Sequence, residues 1–103
     1  MPATPVTVVI LYRAQPGKGA EARKALGSLI QTVLTMESDC LGITTLQDAA
    51  DETRFLLYER WTSQAAYTGP HMQTSHIQAF IQGAAALFAG PPDITFWNDV
   101  SAT

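Results

Sequence analysis

The sequence predicts an α+β domain in which one antiparallel sheet carries helices on a single face. Three observations predict it. Four short runs are rich in β-branched and aromatic residues: Val6 to Arg13, Cys40 to Gln47, Arg54 to Trp61 and Asp93 to Val100. Two longer stretches repeat their apolar residues at helical spacing, one after the first run and one between the third and the fourth. Only the polar stretch Asp48 to Thr53 joins the second run to the third, a connection short enough for a hairpin. The order is therefore β-α-β-β-α-β, the split βαβ or ferredoxin-like arrangement.

The first strand, Val6 to Arg13, is apolar on both faces, so both faces are expected to be covered. Pro16-Gly17-Lys18-Gly19 ends it as a turn. In the following helix, Ala22, Leu26, Leu29, Ile30, Val33 and Leu34 share one face. Gly27 costs that helix roughly 1 kcal/mol, which predicts a close packing contact at that position. Ser38-Asp39 turns the chain into the second strand. In the third strand, Phe55, Leu57, Glu59 and Trp61 share one face, and Leu56, Tyr58 and Arg60 share the other. Thr62 or Ser63 caps a short turn of helix, SQAAY, which Gly69-Pro70 breaks. A longer helix is predicted from about Gln73 to Phe88, with His76, Ile77, Phe80, Ile81, Ala84, Leu87 and Phe88 on its apolar face. Gly90-Pro91-Pro92 stops it. The fourth strand places Phe96 and Trp97 on opposite sides, and the tail Ser101 to Thr103 is expected to fray.

Bulk composition narrows the function. A chain of 103 residues with 47% hydrophobic content fits one small domain spanning residues 1–103. The net charge is −3 and the six basic residues are scattered, so no nucleic-acid footprint exists. The N-terminal apolar run is too short for a signal peptide or a membrane span, which points to the cytoplasm. Cys40, the one cysteine, fits a small buried hydrophobe at a strand start. A sheet covered by helices on one face leaves the other bare. Because the strands are apolar on both faces, a second copy is expected to close a dimeric α+β barrel, making the protein a homodimer.

The chemistry concentrates between Phe55 and His76. Both histidines follow Trp61 and Tyr67 within this window, at a strand end and a helix start, where rigid elements can hold them. His71 lies just after Gly69-Pro70, at a predicted helix start. A positive dipole end favours the neutral, base-competent imidazole. Such a base removes a phenolic proton, a step worth roughly 10²–10⁴ in rate; the same residue also fits a packed junction. His76 shares a helix face with Phe80 and fits a half-buried histidine as well as a ligand contact. The spacing of the two histidines, i and i+5 across a helix start, does not converge on a metal as i, i+4 does, and no third ligand is evident. Trp61 suits either the core or an aromatic pocket wall. Tyr67 fits a hydrogen bond to a substrate oxyanion or a side chain reaching solvent. Glu59 on a covered strand face requires a partner, across the dimer or at a histidine. No phosphate-loop or dinucleotide-binding glycine motif is present, so an oxygenase here must work without a nucleotide or flavin.

The element order, Pro16-Gly17-Lys18 after strand one, Glu59-Arg60-Trp61-Thr62-Ser63 after strand three, and the His71-x-x-Thr74-x-His76 spacing together resemble the antibiotic-biosynthesis-monooxygenase-like family. The likeness runs from about Val6 to Asp99 and is closest to the quinol-monooxygenase-like members. It implies a dimeric α+β barrel and cofactor-free oxidation of phenols, anthrones or quinols. Trp61 and Tyr67 stand at the spacing of two pocket residues in the polyketide-oxidising members. Leu57 replaces the asparagine of those members, and no arginine follows Arg60. The asparagine that haem-degrading members carry in strand one is also missing. The resemblance thus implies an apolar cavity between the sheet and the last helix, lined by Trp61, Tyr67, Ile77, Phe80 and Trp97. His71, Tyr67 and Trp61 are the expected catalytic residues. Glu59, His76, Ile77, Phe80 and Trp97 are the expected substrate contacts. The partners are a small aromatic substrate and O₂, with no cofactor and no metal. An isomerase or metabolite-binding role in the same cavity, or a dimerisation module without a ligand, are the alternatives.

Overall fold

A computed structural model describes residues 4–100; the tail expected to fray lies outside them. The sheet has four strands, β1 (Val6–Arg13), β2 (Cys40–Gln47), β3 (Arg54–Trp61) and β4 (Asp93–Trp97). They run in the order β2-β3-β1-β4 with every pairing antiparallel, which is the ferredoxin-like order. The β2–β3 pair is the predicted hairpin, with Thr45 opposite Leu57. Its loop is held by Asp48 and Asp51, whose carboxylates accept from the backbone N–H of Ala50 and Thr53. Cys40 is buried at the start of β2, beside a bulge between Cys40 and Gly42.

Helix α1 (Gly19–Met36) lies across one sheet face and packs beside α3 (Ser75–Gly83). It buries Ala22, Leu26 and Val33, with Leu29 and Ile30 partly covered. Leu34, expected on that face, is nearly half exposed. Gly19 is where backbones meet: a Cβ there would lie 2.7 Å from the Glu52 carbonyl oxygen. The contact predicted at Gly27 does not exist, because a Cβ there would meet only open space. The short helix α2 (Gln64–Thr68) is capped by Ser63, whose Oγ accepts from the Ala66 N–H.

The last helical stretch differs from its prediction. A 3₁₀ turn, Pro70–Gln73, comes first; α3 then starts after Thr74, whose Oγ1 accepts from the Ile77 N–H. Regular helix stops at Gly83 and a 3₁₀ turn covers Ala84–Ala86. The reason is a competing backbone partner. Phe88 bridges to Ala14, Ala89 N–H donates to the Arg13 carbonyl, and Gln15 N–H donates to the Leu87 carbonyl. Those bonds draw Phe88 into the core, where it is 3% exposed. β4 ends at Trp97, not Val100, because its pairing with β1 runs out at Thr7. Among the described residues no helix is long and apolar enough to cross a membrane.

One sheet face is covered by helices. The other is open in the single chain and exposes Leu11, Leu46, Tyr58 and Trp97.

Candidate functional site

The alternation of β3 delivers Phe55, Leu57, Glu59 and Trp61 to the helical side, where all four are buried. Val8 flanks Glu59 on β1 and Ile43 flanks it on β2. The Trp61 indole Nε1–H donates to Glu59 Oε1 at 2.8 Å, so the required partner is intramolecular and two residues away. Burial pushes the Glu59 carboxyl up to about 7, and the indole hydrogen bond only partly opposes this.

Trp61 lies under two rings supplied by the segment that follows it. Tyr67, from α2, meets it edge-on at 5.5 Å between centroids. His71, from the 3₁₀ turn, lies 4.6 Å from it. Tyr67 and His71 stack on each other at 4.8 Å. A single 3₁₀ turn has little dipole, so the expected cause of a neutral His71 does not apply. Burial lowers its proton affinity instead, against the pull of a neighbouring carboxylate.

That carboxylate is Glu37, at the C-cap of α1. His71 Nδ1 lies 2.9 Å from each Glu37 oxygen, and His76 Nε2 lies 2.7 Å from Oε2. The two imidazoles therefore do converge, on a residue more than thirty positions upstream. Among the described residues no cluster of histidine, cysteine or carboxylate groups is arranged to hold a metal ion. Sequence reasoning missed Glu37. The available signal was an acidic residue at a helix C-terminus with no basic residue in the last turn, which the helix dipole disfavours.

A cavity of about 390 Å³ lies between the sheet and α3, where it was expected. Tyr67, Ile77 and Phe80 line it as predicted, joined by Tyr12, Met72, Phe88 and Ile94. No lining residue carries a charge. Trp61, Glu59, His71 and His76 do not line it; Trp61 and His71 pack against Tyr67, Glu59 bonds to Trp61, and His76 bonds to Glu37. Trp97 is on the opposite sheet face, 58% exposed, with its Nε1–H on Thr95 Oγ1, and so is not a wall of this cavity. Phe96 is its inward neighbour, edge-on to Tyr67 at 5.7 Å. Tyr12 was legible from the alternation that also turns Val6, Val8 and Ile10 inward.

Burial raises the proton affinities of the Tyr12 and Tyr67 phenols, with the Glu59 charge acting in the same direction. Both hydroxyls therefore stay protonated and can donate. Among the described residues every fully buried side-chain nitrogen and oxygen has a hydrogen-bond partner. The Tyr12 and Tyr67 hydroxyls have none among the described residues, so neither is fully buried. The site is thus an uncharged aromatic slot with two hydrogen-bond donors in its wall and a histidine–carboxylate pair behind one of them.

The fold and this arrangement define a small-molecule-binding α+β domain. The antibiotic biosynthesis monooxygenase profile matches residues 5–83, and the chain belongs to that family. Among solved structures, a Pseudomonas aeruginosa protein is 27% identical with a TM-score of 0.86, the match covering 98% of this chain and 99% of that one. A Caulobacter crescentus protein, described as a candidate antibiotic biosynthesis monooxygenase, is 25% identical with a TM-score of 0.84, over 96% of this chain and 92% of its own. A Mycobacterium tuberculosis protein shares the fold at 21% identity and a TM-score of 0.82, over 97% of this chain and all of that one. A comparison with curated proteins finds no match.

Proposed function

We propose that this chain is a cofactor-independent monooxygenase that oxidises a neutral, electron-rich aromatic, a quinol or polycyclic phenol, with O₂ in the cytoplasm. The observation that carries the reading is the cavity: about 390 Å³, aromatic, uncharged, with the Tyr12 and Tyr67 hydroxyls as polar groups. Pockets of this size and character suit small, mostly apolar ligands. A phosphorylated ligand, such as the sugar of an isomerase, needs cations to replace its water; this wall supplies none.

Removal of the phenolic proton falls to His71, which stands off the cavity wall but stacks on the lining residue Tyr67 at 4.8 Å between centroids, and the phenolate passes an electron to O₂. The resulting radical pair joins to a hydroperoxide, which loses water to leave a quinone. One oxygen atom stays in the product, the other leaves as water, and the substrate supplies the electrons. Tyr67 and Tyr12 donate to the developing oxyanion, and Trp61 holds Tyr67 and His71 in place from below. A second copy of the chain, packed on the open sheet face, completes a homodimeric barrel.

A binding role without turnover is the second reading. It is favoured by the lack of any imidazole or carboxylate directly on the cavity wall. Oxygen uptake by the metal-stripped protein with a panel of quinols and anthrones separates the two. The oxygenase reading expects uptake that requires substrate and falls at least 10²-fold, on the order of a lost general base, in His71→Ala. Tight binding of the same compounds with no uptake would support the binding role.

A further inference from the structure

Glu37 has no part in the proposed reaction, yet it makes three side-chain contacts of 2.9 Å or less, all to imidazole nitrogens. Its side chain is only 11% exposed, and it joins the end of α1 to both histidines. A carboxylate oxygen accepts hydrogen bonds and cannot donate them. The nitrogens that face it must therefore carry hydrogens: Nδ1 of His71 and Nε2 of His76. For His71 this leaves Nε2 with the lone pair. Among the described residues Nε2 has no hydrogen-bond partner, and since no fully buried nitrogen there lacks one, it keeps a small accessible surface on a side chain that is only 4% exposed. His71 accepts the stacked faces of Trp61 and Tyr67 in this same orientation.

We propose that Glu37 is a positioning residue: it locks His71 as the Nδ1–H tautomer, so that the basic nitrogen is Nε2, and His76 holds the carboxylate in register for it. The inference rests on the proposed role of His71 as base. When Nε2 takes the proton of a substrate hydroxyl, the Nδ1–H bond to Glu37 stays in place. The new imidazolium then forms 2.9 Å from a carboxylate that is already oriented. His76 does not touch the reacting atoms. Its Nε2–H, 2.7 Å from Oε2, occupies the oxygen side that would otherwise be free to rotate away.

The test is long-range ¹H–¹⁵N correlation of the histidine rings in the full-length protein, first wild type and then Glu37→Gln. The expected wild-type signature is a neutral His71 with Nδ1 protonated and Nε2 bare. In Glu37→Gln the amide N–H turns toward one imidazole, and His71 is expected to shift to the Nε2–H tautomer common in water. With an accepted substrate, kcat is expected to fall on the order of 10²-fold while KM stays nearly constant. A wild-type His71 protonated on Nε2, or a tautomer unchanged by Glu37→Gln, overturns the proposal. The wild-type spectrum decides even if the variant fails to fold. The tautomer is read without turnover, so a failed oxygenase reading and a failed role for Glu37 give different results.

Discussion

Glu59 sits at the centre of the sheet between Val8 and Ile43, with Trp61 Nε1 on one oxygen. Its carboxyl is raised from 4.5 to about 7 by burial. The sign of the stability effect follows. Below 4.5 the group is protonated both folded and unfolded, and its ionisation costs nothing. As the pH rises toward about 7, the unfolded chain ionises while the folded one resists, so stability is lost. The loss from this one residue is on the order of 3 kcal/mol above that range. Glu59→Gln keeps the acceptor for Trp61 and removes the ionisation. Denaturant unfolding should show the variant gaining roughly 2 to 3 kcal/mol on wild type between pH 5 and pH 8. A difference that does not change with pH would mean that Glu59 is not held in a protonation-resistant site. His71 shows how burial and partners decide at this scale. Sequence marked the residue, but its hydrogen-bond partner Glu37 is brought to it only by the fold.

At the scale of elements, α1 contains a test of helix propensity free of packing. Gly27 is exposed in mid-helix, and nothing lies within 4 Å of where a Cβ would sit. Gly27→Ala should therefore raise stability by roughly 0.5 to 1 kcal/mol, seen as a higher midpoint in thermal or denaturant unfolding. Loss of stability would reveal a contact that the isolated chain does not show. Gly19, where the Glu52 carbonyl blocks a Cβ, should respond in the opposite sense. The strands were legible because alternation and β-branched runs are local properties: β1, β2 and β3 fall on their expected bounds. Helix α3 was less so. Its apolar period continues through Leu87 and Phe88, but the backbone there pairs with Arg13 to Gln15, a contact some seventy residues distant in sequence. The same limit applied to the site. Tyr67, Ile77 and Phe80 were readable from the segment they share, whereas Trp61, expected on the cavity wall, lies beneath Tyr67 and His71 and does not line it. Trp97 was placed in the cavity only by its aromatic character, and strand parity sends it to the other face.

For the molecule as a whole, the proposed dimer rests on the open sheet face. Trp97 on β4, Tyr58 on β3 and Leu46 on β2 are 58%, 45% and 51% exposed on a face without helices. Exposed apolar side chains grouped on one sheet face are the feature on which the dimer proposal rests. Sedimentation should find a dimer in wild type and a shift toward monomer in Leu46→Lys combined with Trp97→Lys. A wild-type monomer at all concentrations would exclude the barrel. The cavity lies on the other side of the sheet, so such variants should retain ligand binding if they stay folded. Oxygen isotope labelling decides whether the proposed reaction takes place in that cavity. Metal-stripped protein is given an accepted quinol or anthrone under heavy-isotope O₂, and the product is analysed by mass spectrometry. One labelled oxygen atom per product molecule is expected, with the label lost when His71 is replaced by alanine. Product without label, or turnover that proceeds in the absence of O₂, would contradict it.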